Sequence, residues 1–233
     1  RRRPEEAEAQ VRPAAARGII RMRGWGAKKM VPKGFRELHD LLQQDVIALH
    51  SDWKIFLQLY GQSEERVELL AEVAPHFFAT VQEALVHNIY LGVTRLTDPA
   101  SQGSNKNLFL YRLAQLVEEN GDSELAARLQ RRLEDLSLNV DPLRVFRNWR
   151  LAHNDLPIAL GEKELPVIYR SQVEQVLAGI RGLMNEVSGF YGEGKTLYSE
   201  VEHVGDANTV VSYLKEGMRR EQEQYKRALE SSQ

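Results

Sequence analysis

Cysteine is absent from this 233-residue chain, which excludes structural disulfides and thiolate metal sites. Long apolar runs are missing too. Nothing approaches the roughly 18 residues that a membrane span requires, and no secretory hydrophobic region shows near the start. There is no GxxxxGK(S/T), no GxGxxG after a strand and no HExxH. The expectation is a soluble, cytoplasmic protein with no membrane contact, no cofactor and no bound metal.

What is present is enough apolar residue, 42% of the chain, for one substantial core or two small ones. The net charge of −2 hides an asymmetry. Residues 1–30 hold nine Arg and Lys against three Glu, a balance of +6, which leaves −8 for the remaining chain. General nucleic-acid binders carry a basic domain. Here the body is acidic, so any RNA contact is expected to be local.

Residues 1–32 mix Arg, Ala, Pro, Gly and Glu without periodicity. They read as a basic flexible arm, or as sequence upstream of a start at Met22 or Met30, in preference to an RNA tether. From Lys33 to Tyr60, Phe35, Leu38, Leu42, Leu49, Trp53, Phe56 and Tyr60 recur at helical spacing. Ser63 is placed to cap a second long helix, which runs to about Thr97 with a bend at Pro75. A third helix is expected near 107–119. A fourth, capped by Asp122 or Ser123, is expected near 124–136. Asp141-Pro142 has the form of a new helix start, followed by an apolar arc of Val145, Phe146, Trp149, Ala152 and Leu156 facing a core. A loop with Pro157, Gly161 and Pro166 leads to a long helix near 167–191, where Ser171 and Glu174 have capping-box spacing. Gly192, Gly194 and Gly205 mark a linker to a charged amphipathic helix near 208–229. No alternating strand pattern and no internal repeat is found. The expected fold is all-α, an antiparallel bundle over 33–192 with long first and second helices, then a linker and C-terminal helix over 193–233.

The chemistry concentrates in FRNWRLAHND, residues 146–155. The other histidines, His39, His50, His76, His87 and His203, are scattered, and a packed or surface role suits each better than a zinc site. An imidazole at His153 can take or give a proton near neutral pH, and neighbouring arginines bias it toward the neutral form. Arg147 can stabilise charge on a phosphoryl group in flight. Asn148 can orient the imidazole or a phosphate oxygen. This set suits metal-free RNA cleavage by ribose 2′-hydroxyl attack. The spacing raises a difficulty, because on a continuous helix Arg147 and His153 lie about 120° apart, whereas Arg150 and His153 are neighbours. Either the helix loosens before His153, the site is shared across a dimer, or Arg150 is the nearer partner. A bland reading competes: His153 at a helix end, with the arginines in surface ion pairs.

RNWRLAHND resembles the signature of the HEPN superfamily: an arginine, a polar residue, then histidine four to six positions after the arginine. RLTDP, Arg95 to Pro99, and the apolar spacing of VELLAEVAPHFFATVQEAL, residues 67–85, resemble its abortive-infection U-type branch. The resemblance covers about residues 33–192. It implies a homodimeric helical ribonuclease, metal-independent, with active sites meeting between protomers. By motif, Arg147 and His153 carry over as catalytic residues and Asn148 as the polar companion. Arg144 and Arg150 are then substrate-binding cations. Arg95 and Asp98 match the branch phrase and join them, unless they form a salt bridge that pins the end of the second helix. Family members act as toxins in phage defence or beside an antitoxin, so an antitoxin or regulator is an implied partner. Some carry a tyrosine two residues after the histidine, which the antitoxin modifies; here that position is Asp155. The alternative function is a non-catalytic helical module that dimerises or holds RNA or protein.

Overall fold

The computed structural model describes residues 21–22, 29–98, 109–152 and 155–231. Among them the fold is an all-α helical bundle, as the periodicity predicts, plus one two-residue ladder. The helices are α1 (Phe35–Tyr60), α2 (Glu64–Val73), α3 (Pro75–Thr97), α4 (Leu110–Glu119), α5 (Ser123–Phe146), α6 (Leu156–Ala159), α7 (Arg170–Phe190) and α8 (Ala207–Glu230). A π-helical turn, Arg147–Ala152, continues α5. The ladder pairs β1 (Arg21–Met22) antiparallel with β2 (Lys195–Thr196). No helix among the described residues is long and apolar enough to cross a membrane.

The main core is built from one face each of α1, α3, α4, α5 and α7. Along α7, Val173, Val176, Leu177, Ile180, Leu183, Met184 and Val187 are all buried, a stripe at helical spacing. Each such side chain stabilises the fold by roughly 1.5–3 kcal/mol. A smaller cluster of Leu59, Leu70, Phe78, Ala207 and Val211 joins α1, α2, α3 and the first turns of α8.

Three boundaries differ from the sequence reading. The expected second helix is two helices, broken at Ala74, where φ −155° and ψ 73° leave the helical region. The ring of Pro75 clashes with an α-conformation at the residue before it, and proline then serves as a first helical residue. The apolar spacing runs on through the break, which makes it look like a bend. Second, Asp141-Pro142 does not start a helix: α5 runs unbroken to Phe146 with Pro142 inside it. An interior proline costs about 3 kcal/mol, but Leu136, Val140 and Leu143 are all buried on α5, and together they outweigh it. The carbonyl that loses its partner belongs to Leu138, on the exposed face. Third, α7 begins at Arg170 behind Tyr169 without a side-chain cap, and Glu174 accepts from Arg170 at 2.8 Å, so Ser171–Glu174 forms no capping box. The expected cap at Ser63 holds, its side chain accepting from the amide of Arg66. The one expected from Asp122 or Ser123 does not, since the N-cap Asp122 makes no side-chain cap hydrogen bond on α5. Asp206, not read from the sequence, caps α8 by accepting from the amide of Thr209.

The α1–α7 seam contains a titratable group the core must keep neutral. His50 is 5% exposed, stacks on Tyr198 at 5.9 Å, and its Nε2 has no hydrogen-bond partner among the described residues. Burial first, then the charge of Arg181, lower its pKa from 6.5 to about 4. The unfolded chain therefore binds this proton at higher pH than the folded one. The stabilisation is complete above pH 6.5 and is lost as pH falls from there to about 4, by up to roughly 1.4 kcal/mol per unit and about 3 kcal/mol in all. Urea unfolding of wild type and His50→Met between pH 7 and 4 should show that this component of the slope disappears in the variant.

Candidate active site

The site is organised where the end of α3 meets the end of α5. Thr97 and Asp98 close α3, and Arg144 and Arg147 reach back to them. Arg147 Nη1 donates to Asp98 Oδ2 at 2.5 Å. Arg144 Nη2 donates to the carbonyl of Thr97 at 2.6 Å, and its Nε lies 3.4 Å from Asp98 Oδ1, close enough to pair but not aligned to donate. Arg144 Nη1 also holds Ser137 Oγ at 2.8 Å and Asp141 Oδ1 at 2.7 Å. These three side chains are largely buried: 14% of Asp98, 17% of Arg144 and 16% of Arg147 is exposed. Guanidinium groups at the negative end of α3 are also favoured by the helix dipole. The single carboxylate thus clamps the α3 terminus to both α5 and the turn that follows.

That turn is π-helical, and none of its six residues, Arg147 to Ala152, is buried. The helix does loosen before position 153. The amide of Asp155 closes back on the carbonyl of Trp149 at 3.0 Å, a six-residue span wider than an α-helical closure. Asp155 then caps α6 by accepting from the amide of Ile158, so the acid two residues after His153 has a structural task. The expected apolar arc does not face a core. Val145, Phe146 and Trp149 are half-buried, and Ala152 and Leu156 are exposed. The widened turn changes the angular step between residues, so the α-helical phase used to draw the arc lapses at Arg147.

The expected site residues divide. Arg147 and Asn148 are together, with Asn148 Oδ1 accepting from Arg147 Nε at 3.0 Å. Asn148 therefore orients the arginine. Asp98 joins them, but Arg95 from the same phrase does not: it turns to Asp45 on α1, at 3.4 Å, with 68% of its side chain exposed. Arg144 is committed to four protein partners. Arg150 is exposed and has no ion pair among the described residues. His153 lies outside the described residues. Sequence reasoning missed Arg144 as the hub of the clamp, although its i,i+3 relation to Arg147 put both on one face. It also missed the contact of Lys163 with Trp149.

One other constellation has the look of chemistry. His39 Nε2 meets Ser188 Oγ at 2.7 Å, with Asp40 Oδ1 3.7 Å from the ring's other nitrogen, beside a polar cleft of about 170 Å³. Ser188 donates its hydroxyl proton to the carbonyl of Met184 at 2.8 Å, so the imidazole is the donor to Oγ. A base cannot activate a serine in that arrangement. The described residues hold no group of three or more histidine or acidic side chains able to bind a metal.

Asp98→Asn would leave two largely buried guanidinium groups short of an anion, and should lower unfolding stability by about 2–3 kcal/mol. Arg95→Ala, at an exposed pair, should cost less than about 1 kcal/mol. Chemical denaturation of both variants checks the contrast.

A family model described as AbiU2, of HEPN type, matches residues 32–210, from just ahead of α1 into the first turn of α8. Curated proteins and solved structures return no match. The family match spans well over half of the sequence and takes in the α3 terminus, the clamp and the π-helical turn: the chain belongs to the AbiU2 family of abortive-infection HEPN-type domains.

Proposed function

We propose that the protein is a metal-independent endoribonuclease, acting as a toxin or phage-defence effector, with its site completed by a second copy of the chain. The observation that carries this reading is the setting of Arg147. Its Nε and Nη1 are held from behind by Asn148 and Asp98, while Nη2 has no partner among the described residues. An arginine fixed on two sides and open on the third is organised to meet a phosphate oxygen. His153 follows six residues later in the family signature.

In the reaction, the ribose 2′-hydroxyl oxygen bonds to the adjacent phosphorus and the bond from phosphorus to the 5′-oxygen breaks. His153 of one copy takes the 2′-hydroxyl proton; a protonated His153 from the second copy supplies one to the leaving 5′-oxygen. The products are a 2′,3′-cyclic phosphate and a 5′-hydroxyl. Arg147 stabilises the charge that builds on the non-bridging oxygens, and Arg150 offers a second cation to the RNA strand. Arg144 supports the site from behind. The segment after the site leaves Leu156, Leu160, Val167 and Tyr169 exposed, apolar side chains that a second copy would cover. An antitoxin or other regulator would have to reach this same region to silence it.

A non-catalytic module that holds RNA or protein is the second reading. It is favoured by the charge balance, because Asp98 offsets Arg147 and the rest of the body is acidic. The two part in a cleavage assay on total RNA and tRNA with EDTA present. Wild type should cut. Arg147→Ala should lose about 10²–10³-fold in rate and His153→Ala about 10²–10⁴-fold, both remaining folded and dimeric. Variants that cut as well as wild type would remove these residues from the mechanism. A wild type that binds RNA without cutting it would favour the module.

A further inference from the structure

Trp149 is out of place for a core residue. It sits half-buried in a π-helical turn none of whose residues is fully buried, and it stands outside both hydrophobic clusters. What covers its ring is an exposed lysine: the Nζ of Lys163 lies 3.1 Å above the ring centroid. The face under that ammonium is thus free of core atoms, and its cover is a long, mobile-stemmed side chain from the segment between α6 and α7. Lys163 is flanked by Glu162 and Glu164, both exposed, so the segment as a whole repels phosphate.

We infer that the face of Trp149 is a stacking subsite for an unpaired nucleobase of single-stranded RNA, with Lys163 as the displaceable cover. This rests on the ribonuclease reading and deepens it by naming the substrate class. Trp149 is four residues before His153, the spacing of neighbours on a helical surface, and lies in the same turn as Arg147 though not on its face, so a base held there belongs to a strand that passes around this turn. The ammonium occupies the place above the ring that a stacked base would take. An exposed cation–π contact is weaker than stacking of a base on an indole, so the incoming base wins the position. Stacking needs a base free of its neighbours, which selects unpaired RNA and is tolerant of sequence.

The test uses the full chain and a short 2′-O-methyl RNA, which has no 2′-hydroxyl to attack with, compared with a fully paired duplex of the same sequence and with mononucleotides. The single strand should quench tryptophan fluorescence on binding, and the duplex and mononucleotides should do so far less. Trp149→Leu, which keeps apolar bulk, should bind the single strand about tenfold more weakly, equivalent to about 1.4 kcal/mol, and lose most of the quench. Trp149→Phe should lie between it and wild type. Lys163→Ala should bind about two- to fourfold more tightly, because nothing then competes for the ring. Equal binding by wild type and Trp149→Leu would overturn the subsite while leaving the ribonuclease reading intact. Weaker binding by Lys163→Ala would overturn the displacement, since a lysine on phosphate gives that sign. Stronger quenching by mononucleotides than by the single strand would overturn RNA as the source of the base. Absence of both binding and cleavage in wild type would remove the ribonuclease reading, and this inference with it.

Discussion

One carboxylate holds the end of this molecule that carries the proposed site together. Asp98 stands between Arg144 and Arg147, and through them it ties the end of α3 to α5 and to the turn beyond. Two guanidinium groups could not be buried this deeply on their own, because desolvating a charge costs far more than packing its stem returns. Asp98, Asp141 and the Thr97 carbonyl make it affordable by leaving the cluster with two positive and two negative charges. Electrostatically the clamp is nearly silent. In the proposed reaction Arg147 therefore acts through position, its Nη2 without a partner among the described residues, and little through a general field.

The clamp matters more because the backbone beside it is irregular. Pro142 sits inside α5, and within two turns of it the hydrogen-bond pattern widens into the π-helical segment. A segment that buries none of its residues contributes little to its own persistence and belongs to the low-stability end of a fold. Its geometry is held by the helix feeding it, by the Trp149–Asp155 closure, and by Arg147 on Asp98. π-helical turns are often found at functional sites because the widened turn re-aims the side chains that follow, and here it opens the α-helical phase just ahead of His153.

How much of this is legible in the chain follows from the range of each interaction. The long stripes of α1 and α7 are written in local spacing, and so is the cap at Ser63. The break at Ala74 is hidden because α2 and α3 keep the same apolar phase across it; only the steric rule for the residue before proline exposes it. At Asp141-Pro142 the local signal points the wrong way, since cap chemistry announces a start while the burial of Val140 and Leu143 carries the helix through. The string RNWRLAHND marks the site, yet not its construction. Arg147 meets Asp98 across 49 residues of sequence, and Arg95, only three residues from Asp98, turns instead to α1. No spacing rule reaches over that separation. The Trp149–Lys163 contact depends on a π-helical turn that α-helical periodicity cannot represent.

Charge then constrains what kind of RNA contact the proposed site can make. Beyond residue 30 the chain carries −8, and in α8 the cations Arg219 and Arg220 are spent on Glu216 and Glu223. Among the described residues near the proposed site, and apart from Lys163 on the Trp149 ring, the cations left over are Arg150 and one nitrogen of Arg147. Each neutralised phosphate releases condensed counterion and adds roughly −0.7 to the salt slope for a single strand, so a site with one or two such contacts draws little affinity from the backbone. The remainder must come from interactions that ignore charge, and stacking on an aromatic face is the one that nucleic acid offers in every sequence. A duplex hides those faces and presents chiefly phosphate to an acidic surface. On this reasoning the acidity of the body is itself a discriminator, disfavouring paired RNA everywhere except where an unstacked base can compensate.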